Sequence, residues 1–403
     1  MKFIAYLISY LIYPFSFLFI RNKRKAAFGS FRNAFNDNAK YLYIYFRQHQ
    51  ADLDAVWLTL SKETVREMNS MGLKAYHTLS PKGVWHALTS KYWFFNSYTS
   101  DIMFAFSGGA TCVNLWHGVG LKKIEFNIDS GALAERYQKR KPKEVFFHPE
   151  SFRKPDWVLT STPFQTKMFS TAFRIPGERC LEFGYPRNEL LQATEKECLE
   201  FMDRYEPEST RHLISDIKQN GYRKVFIYMP TWRDSQRELF VQSFDLDRMN
   251  QILKTQESLL LLKPHANTII DPSALTRYSN IVLVNAKADV YPILPFTDVL
   301  ITDYSSVLYD YILMEHKEVI LYLYDYDEYV AERDFYYPFD ENVVGKKVRS
   351  FEQLCQCIEQ NDFKMDEIQR QRILEKFWGD FHHMEPSRSL MAFFYNGIKI
   401  KTN

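Results

Sequence analysis

Residues 298–314 read DVLITDYSSVLYDYILM, a short apolar run that passes through two serines into a longer pattern of helical spacing. The apolar run is uninterrupted rather than alternating, as is typical of a strand that is covered on both faces of a parallel sheet. Serines directly before a helical pattern are typical of a helix N-terminus. The stretch therefore predicts a β-strand followed by an α-helix in an α/β protein.

Apolar runs of the same kind recur on both sides of this stretch. Because they alternate with longer mixed segments, they predict two doubly wound parallel sheets. The first series is YLYIYF (41–46), AVWLTL (55–60), TCVNLW (111–116) and WVLTST (157–162), and the second is KVFIYMP (224–230), SLLLLKPH (258–265), IVLVN (281–285), DVLITD (298–303) and EVILYLYD (318–325).

The chain length also indicates more than one domain. A chain of 403 residues exceeds one typical core and suggests two domains of roughly 150 to 200 residues. The charged residues 192–222 read as helices and lie between the two series of strands. We therefore predict an N-terminal domain at 26–200, a second domain at 201–378 and a closing helix at 379–403.

Composition argues against several classes of partner. Lys and Arg total 51 and Asp and Glu total 49, so no strong net charge favours nucleic acid. The five cysteines are an odd number without the spacing of a disulfide scaffold, which favours a reducing compartment. Zinc-site spacings are missing from the sequence as well. We predict no nucleic-acid partner, no metal and no cofactor.

The first 25 residues are the one place where the sequence indicates a membrane. MKFIAYLISYLIYPFSFLFI carries tyrosines and serines at helical spacing on one side, and Pro14 interrupts it. That pattern favours a helix lying in the membrane interface over a spanning helix, a cleaved signal peptide or a buried domain helix. Anionic headgroups at the cytoplasmic face would then meet the basic cluster Arg21, Lys23, Arg24 and Lys25.

Polar residues follow several of the predicted strands, where ligands of doubly wound sheets bind. Ser305 and Ser306 at a helix N-terminus would offer N–H groups and hydroxyls to a phosphate, and Asp310 would accept from ligand hydroxyls. A plain helix cap is the alternative. Lys263, Pro264 and His265 end another strand, with an ammonium and an imidazole that can stabilise negative charge.

The first domain and the strand at 224–230 supply further candidates. Arg187 of the GYPR motif is suited to a bidentate phosphate contact, and Arg233 follows the strand at 224–230. His117 follows TCVNLW, and Gly118 permits a sharp turn close to a ligand. His117 is then either functional or a packing residue beneath Trp116.

Taken in order, these motifs resemble the CDP-glycerol glycerophosphotransferases that build teichoic acids and related capsule polymers. The resemblance covers almost the whole chain and includes FGSFRNAFNDNAKYLY, LWHGVGLKK, GYPRNE, YMPTWRD, LLKPH, DVLITDYSSVLYDYILM and LYLYDYDEYVAERDFYYPFDE. It implies two Rossmann-like domains in the GT-B arrangement. It also implies CDP-glycerol or another CDP-alditol as donor, and a lipid-linked or polymeric glycan or polyol-phosphate acceptor.

The resemblance also assigns residues. His117 and His265 match the family's functionally important pair, which we predict to be catalytic. In the hypothesis, His117 is the general base that lets an acceptor hydroxyl attack the β-phosphorus and release CMP, while His265 and Lys263 stabilise the diphosphate. The predicted substrate-binding residues are Trp116, Gly118, Arg187, Pro230, Thr231, Arg233, Lys263, Pro264, Val284, Asn285, Asp303, Ser305, Ser306 and Asp310.

Two other functions fit the same patterns. A GT-B glycosyltransferase would use a nucleotide sugar on the same fold, because fold alone does not decide the reaction. A non-catalytic, membrane-bound module would bind nucleotide or polymer without turnover. We predict a peripheral or monotopic protein at the cytoplasmic side of the cell membrane.

Overall fold

The computed structural model describes residues 2–49, 52–231, 244–264, 272–286, 288–332 and 335–395. The chain divides into two units. Unit 1 comprises Met1–Val119, Lys123–Glu189 and Phe377–Asn403, and unit 2 comprises Gly120–Lys122 and Leu190–Lys376. The main boundary therefore lies at 189/190, where the sequence suggested 200/201, and both the first 25 residues and the C-terminal segment are parts of unit 1.

Unit 1 contains an entirely parallel seven-stranded sheet in the order β3-β2-β1-β4-β5-β6-β7. Its strands are β1 (Asn22–Gly29), β2 (Asp54–Thr59), β3 (Ala75–His77), β4 (Ser90–Phe95), β5 (Thr111–Asn114), β6 (Trp157–Thr160) and β7 (Cys180–Glu182). The α-helices are Lys2–Phe15, Asp37–His49, Lys62–Ser70, Pro81–Thr89, Gly131–Tyr137, Pro142–Phe147, Pro149–Phe152, Pro163–Phe173 and Pro386–Tyr395.

Local sequence explains where several of these helices begin. Ser61, Ser80 and Thr162 each accept a hydrogen bond from a backbone N–H of the following turn. Such caps satisfy N–H groups that have no partner inside the helix. Proline follows directly after two of them, where its missing N–H costs nothing.

One predicted strand of unit 1 is wrong. Residues 41–46 lie inside the helix Asp37–His49. This helix is buried on almost every side, and even Lys40 is nearly inaccessible. A short run of buried apolar residues has no periodicity that separates a strand from a buried helix, so YLYIYF reads as either.

Unit 2 contains a parallel six-stranded sheet in the order β10-β9-β8-β11-β12-β13. Its strands are β8 (Lys224–Met229), β9 (Ser258–Leu262), β10 (Ile281–Leu283), β11 (Val299–Thr302), β12 (Glu318–Tyr322) and β13 (Lys346–Val348). The α-helices in the part of unit 2 that the structure describes are Glu195–Tyr205, Glu208–Asn220, Leu246–Thr255, Val307–Tyr311, Tyr326–Glu332, Phe351–Glu359 and Glu367–Trp378, the last of which ends in residues of unit 1.

In both sheets the strand order reverses between two neighbouring strands. The reversal lies between β1 and β4 in unit 1 and between β8 and β11 in unit 2. At such a point the connections leave toward opposite faces, which opens a crevice beyond the carboxyl ends of the strands. The two sheets therefore each offer one preferred binding edge.

The C-terminal helix Pro386–Tyr395 packs on the sheet of unit 1. The ring of Tyr395 lies 5.8 Å from that of Phe46 and 5.0 Å from that of Tyr92. The Ser387 N–H and hydroxyl donate to the Glu189 carboxyl at 2.7 and 2.8 Å. Burial raises the pKa of Glu189 to about 7 although these bonds favour the charged form.

The N-terminal helix Lys2–Phe15 packs through its tyrosines. Tyr10 stacks on Phe146 at 5.5 Å and Tyr13 on Phe104 at 4.7 Å between ring centroids. No described helix is both long and apolar enough to cross a bilayer. The large apolar side chains that remain exposed on this helix are Phe3, Ile4, Leu7, Ile8, Leu11 and Phe15.

Arg21 was predicted to meet lipid headgroups, and this prediction is wrong. Its guanidinium donates to the carbonyl oxygens of Ala87, Ser90, Phe106 and Gly108. A guanidinium has five N–H donors and can satisfy several carbonyls at once. Arg21 therefore joins the end of the N-terminal segment to the body of unit 1, whereas Lys23 and Arg24 are exposed.

Candidate functional site

A sharp turn follows β5 and presents His117. Trp116 has a φ of 52° and Gly118 a φ of 109°, both in the left-handed region. The Trp116 N–H donates to Asn114 Oδ1 at 2.8 Å. Trp116 is buried, while His117 is exposed and stacks on the indole at 4.1 Å between ring centroids. His117 is therefore not a core residue, and its imidazole lies beyond the carboxyl end of β5.

Arg187 lies beneath this turn. Its Nη2 donates to the His117 carbonyl oxygen at 2.8 Å, and its Nη1 donates to Asp37 Oδ1 at 2.7 Å. The guanidinium is almost completely buried, and burial strengthens the pairing between opposite charges. The structure thus gives Arg187 a carboxylate and a carbonyl as partners, and its contact with phosphate stays a prediction.

Three further side chains contact the turn and were not singled out from the sequence. Asn38 Nδ2 donates to the Trp116 carbonyl oxygen at 2.9 Å, and Gln165 Nε2 donates to that of Gly118 at 3.3 Å. The Tyr185 hydroxyl lies 3.2 Å from the Gly118 oxygen and 2.9 Å from Gln165 Oε1, and its one proton is shared between these two acceptors. Asn38 follows Asp37 at the start of a helix, and Tyr185 belongs to GYPRNE. Motif membership was the only sequence signal for Asn38 and Tyr185, and Gln165 lies outside every motif named from the sequence.

A buried carboxyl group supports the neighbouring edge of the unit 1 sheet. Asp101 Oδ2 accepts from the backbone N–H of Asn96 at 3.1 Å and of Ser97 at 2.8 Å, directly beyond β4. Burial raises the pKa of Asp101 to about 7, against the hydrogen bonds that lower it. Asn96 Oδ1 in turn accepts from the Ala39 N–H at 3.0 Å in the first turn of the helix Asp37–His49. The network fixes the start of the helix that carries Asn38.

In unit 2, Asp303 joins the ends of β8 and β11. Its carboxylate accepts from the Thr231 N–H at 2.9 and 3.1 Å, from the Thr231 hydroxyl, and from the Tyr304 N–H at 2.6 Å. Asp303 is buried, so these bonds replace those that water would make. The structure gives Asp303 and Thr231 this shared structural contact at the strand reversal, and their contact with substrate stays a prediction.

The serine pair lies where the sequence placed it, before a helix. Val307–Tyr311 is only five residues long, and its Val307 N–H points to Ser305 Oγ at 3.4 Å. Ser306 makes no side-chain cap. Asp310 is fully buried and accepts a hydrogen bond from the Tyr291 hydroxyl. The two serines are half-buried at the edge, while Asp310 lies inside unit 2, so its contact with a ligand hydroxyl stays a prediction.

Lys263 follows β9 and is mostly buried. Its Nζ donates to the Ala286 carbonyl oxygen at 2.7 Å. Burial lowers the pKa of Lys263 to about 8, and the charge of Asp289 opposes this shift. At pH 7 the group is therefore mostly protonated. Because an ammonium has three N–H donors, the bond to Ala286 leaves donors for an anion.

The remaining predicted residues of unit 2 divide into three groups. Pro264 and Val284 are buried, and the Val284 N–H donates to the Leu262 carbonyl oxygen at 2.9 Å. Asn285 follows β10 and is exposed, and Pro230 follows β8 and is half-buried. Arg233 and His265 lie outside the described residues.

Comparison with known proteins places these features in a family. Residues 11–385 match the family model described as CDP-glycerol:poly(glycerophosphate) glycerophosphotransferase. This chain belongs to that family. The predicted resemblance is thereby confirmed, and the glycerophosphotransferase family is a family of enzymes.

Relatives of this glycerophosphotransferase agree with the family match. The chain is 27% identical over 380 residues to a teichoic acid glycerol-phosphate transferase of Staphylococcus aureus (strain NCTC 8325 / PS 47), covering 91% of each protein. It is 25% identical over 386 residues to a teichoic acid poly(glycerol phosphate) polymerase of Bacillus spizizenii (strain ATCC 23059 / NRRL B-14472 / W23), covering 92% of this chain and 90% of that one.

A solved structure of the wall teichoic acid polymerase TagF is similar in fold. The TM-score is 0.75 at 23% identity, over 94% of this glycerophosphotransferase and 90% of TagF. An α/β protein with two parallel sheets is therefore confirmed.

Proposed function

We propose that this protein transfers glycerol phosphate from CDP-glycerol to a hydroxyl of a lipid-linked or polymeric acceptor, with release of CMP, in the synthesis of a teichoic acid or capsular polymer. Family membership supports the donor and the reaction class. The observation that carries the proposal is an exposed imidazole on a turn that buried side chains fix beyond β5. Such a group suits proton transfer from an alcohol.

In the proposed reaction, the acceptor oxygen bonds to the β-phosphorus of CDP-glycerol. The bond from that phosphorus to the bridging oxygen breaks, CMP leaves with that oxygen, and the hydroxyl proton passes to His117. Phosphoryl transfer needs mainly positioning and charge stabilisation. The Lys263 ammonium and the hydroxyls of Ser305 and Ser306 supply polar groups of the required kind, and His265 is assigned to the same task.

We propose further that the two units are Rossmann-like domains in the GT-B arrangement, with the CDP-alditol on unit 2 and the acceptor on unit 1. Each unit has a parallel sheet with one strand reversal, which supports this assignment. The polar residues beyond β8, β9 and β11 suit a diphosphate, and His117 lies on the other unit.

The direct test offers the purified protein a panel of CDP-glycerol, CDP-ribitol and nucleotide sugars with a membrane-derived acceptor. We expect CMP release with CDP-glycerol and a product mass that increases by glycerol phosphate units joined through phosphodiesters. A glycosidic product from a nucleotide sugar would overturn the proposal in favour of a glycosyltransferase. Donor binding without CMP release would favour the non-catalytic alternative.

We propose that the protein is a peripheral protein of the cytoplasmic membrane face. The helix Lys2–Phe15 is attached by its tyrosines and leaves its most apolar side exposed, as a helix lying in the interface requires. Phe17, Leu18 and Ile20 continue the exposed apolar surface. The exposed Lys23 and Arg24 follow it and suit anionic headgroups.

This membrane assignment predicts the effect of a charge on the helix. Leu11→Glu should lower partitioning onto anionic lipid vesicles about tenfold or more, because a carboxylate would replace a side chain that inserts among acyl chains. Ile368→Glu is the matched control, since Ile368 is also highly exposed but lies in a helix of unit 2. Vesicle sedimentation measures both, and equal binding of the two variants would refute the assignment.

A further inference from the structure

Three successive carbonyl groups of the turn at His117 are bonded by side chains from elsewhere in unit 1. Asn38 contacts the carbonyl of residue 116, Arg187 that of His117, and Gln165 that of residue 118. Ordinary turn hydrogen bonding does not supply a separate side-chain donor for each of three consecutive carbonyl groups. The arrangement fixes the peptide planes on both sides of His117.

The donors are themselves fixed. Asn38 Oδ1 accepts a hydrogen bond from the backbone N–H of Arg187 at 3.1 Å. Gln165 Oε1 accepts from the Ser161 N–H at 2.8 Å and from the Tyr185 hydroxyl at 2.9 Å. With both ends of each amide bonded, neither can rotate without losing a buried bond, which costs about 1–3 kcal/mol.

The backbone of the turn needs such support. Trp116 has a φ of 52° although it is not glycine, and a residue in this region costs of order 1–3 kcal/mol unless its surroundings enforce it. Asn38 and Gln165 are completely buried, so their bonds act in a medium that strengthens them. The strained backbone of Trp116 and the hydrogen bond from Asn38 that stabilises it therefore lie directly beside His117.

We propose that Asn38 and Gln165 are positioning residues that orient the His117 imidazole through the carbonyls on either side of it. This inference rests on the proposed function of His117 as general base. Neither residue reaches the exposed imidazole through the contacts described above, so both act through the backbone. A misplacement of about 1 Å can cost about a hundredfold in rate.

The test compares Asn38→Ala and Gln165→Met in the full chain, with CMP release measured from CDP-glycerol. Gln165→Met keeps the volume of the side chain and removes its hydrogen bonds, so it preserves packing better than alanine. We expect kcat to fall about 10- to 100-fold in each variant, with KM for CDP-glycerol changed less than about twofold. Asn127→Ala is the control, because Asn127 Nδ2 also donates to a carbonyl of unit 1, that of Met168, rather than to a carbonyl of the turn.

A second arm separates positioning from loss of stability. The same substitutions are made in a His117→Ala background, with each rate normalised to the folded fraction from circular dichroism. If Asn38 and Gln165 act through the imidazole, they change the residual rate there by less than about twofold. An equal loss in both backgrounds, or no loss in the wild-type background, overturns the inference. An unaffected rate in His117→Ala alone would instead refute the role of His117.

Discussion

Replacing His117 with alanine is expected to lower kcat about 100- to 10,000-fold, the usual contribution of a general base. The acceptor hydroxyl then has to lose its proton to water, while the polar groups assigned to the donor are unchanged. Affinity for CDP-glycerol should therefore stay within about twofold. Single-turnover CMP release and equilibrium binding of CDP-glycerol measure the two quantities separately.

The control for this variant is His212→Ala. His212 is an exposed histidine on a helix of unit 2 that pairs with Glu208, and its loss should leave kcat unchanged. The pH profile supplies a second readout, since the acidic limb that reports deprotonation of the base should disappear with His117. Unchanged turnover in His117→Ala would remove the residue from the mechanism.

Asp303→Ala is expected to lower the free energy of unfolding of unit 2 by about 2–5 kcal/mol. The substitution leaves the N–H groups of Thr231 and of the buried Tyr304 without their acceptor, and it removes the side-chain link between Thr231 after β8 and the end of β11. Chemical denaturation followed by tryptophan fluorescence or circular dichroism measures the change. Asp303→Asn should lie between wild type and alanine, because its one carbonyl oxygen still accepts.

Asp298 provides the matched control at the opposite end of the same two strands. Its carboxylate accepts from the Val225 N–H at 2.8 Å, but it is about 38% exposed. Because water can replace this bond, Asp298→Ala should cost only about 1 kcal/mol. Equal losses for the two alanine variants would show that burial does not decide the contribution of Asp303.

The fold was predictable wherever strands are buried on both faces. The runs at 224–230, 258–265 and 298–303 each contain an uninterrupted apolar stretch, and each contains a parallel strand. The same property led to the wrong prediction of a strand at 41–46, because a helix that is buried on all sides can also have an uninterrupted apolar sequence. Arg21 was misread for a related reason, since its position in a basic run does not reveal four carbonyl acceptors that lie 66 to 87 residues further along the chain.

The candidate site was predictable only as far as local sequence reaches. A position directly after a strand identifies His117, Lys263 and the serine pair as edge residues. The side chains that hydrogen-bond within the candidate site come from distant parts of the chain. Asn38 and Trp116 are 78 residues apart, and Asp37 and Arg187 are 150 residues apart. Those pairings depend on the order of strands in the sheet, which no local pattern contains.

The three-segment construction of unit 1 has a consequence for synthesis on the ribosome. All of unit 2 after Leu190 is translated before the helix Pro386–Tyr395 exists. At about 5–20 residues per second, a nascent chain spends roughly 10–40 seconds with the aromatic surface around Phe46 and Tyr92 uncovered. Chaperone demand during production should therefore come from the half of the protein that is made first.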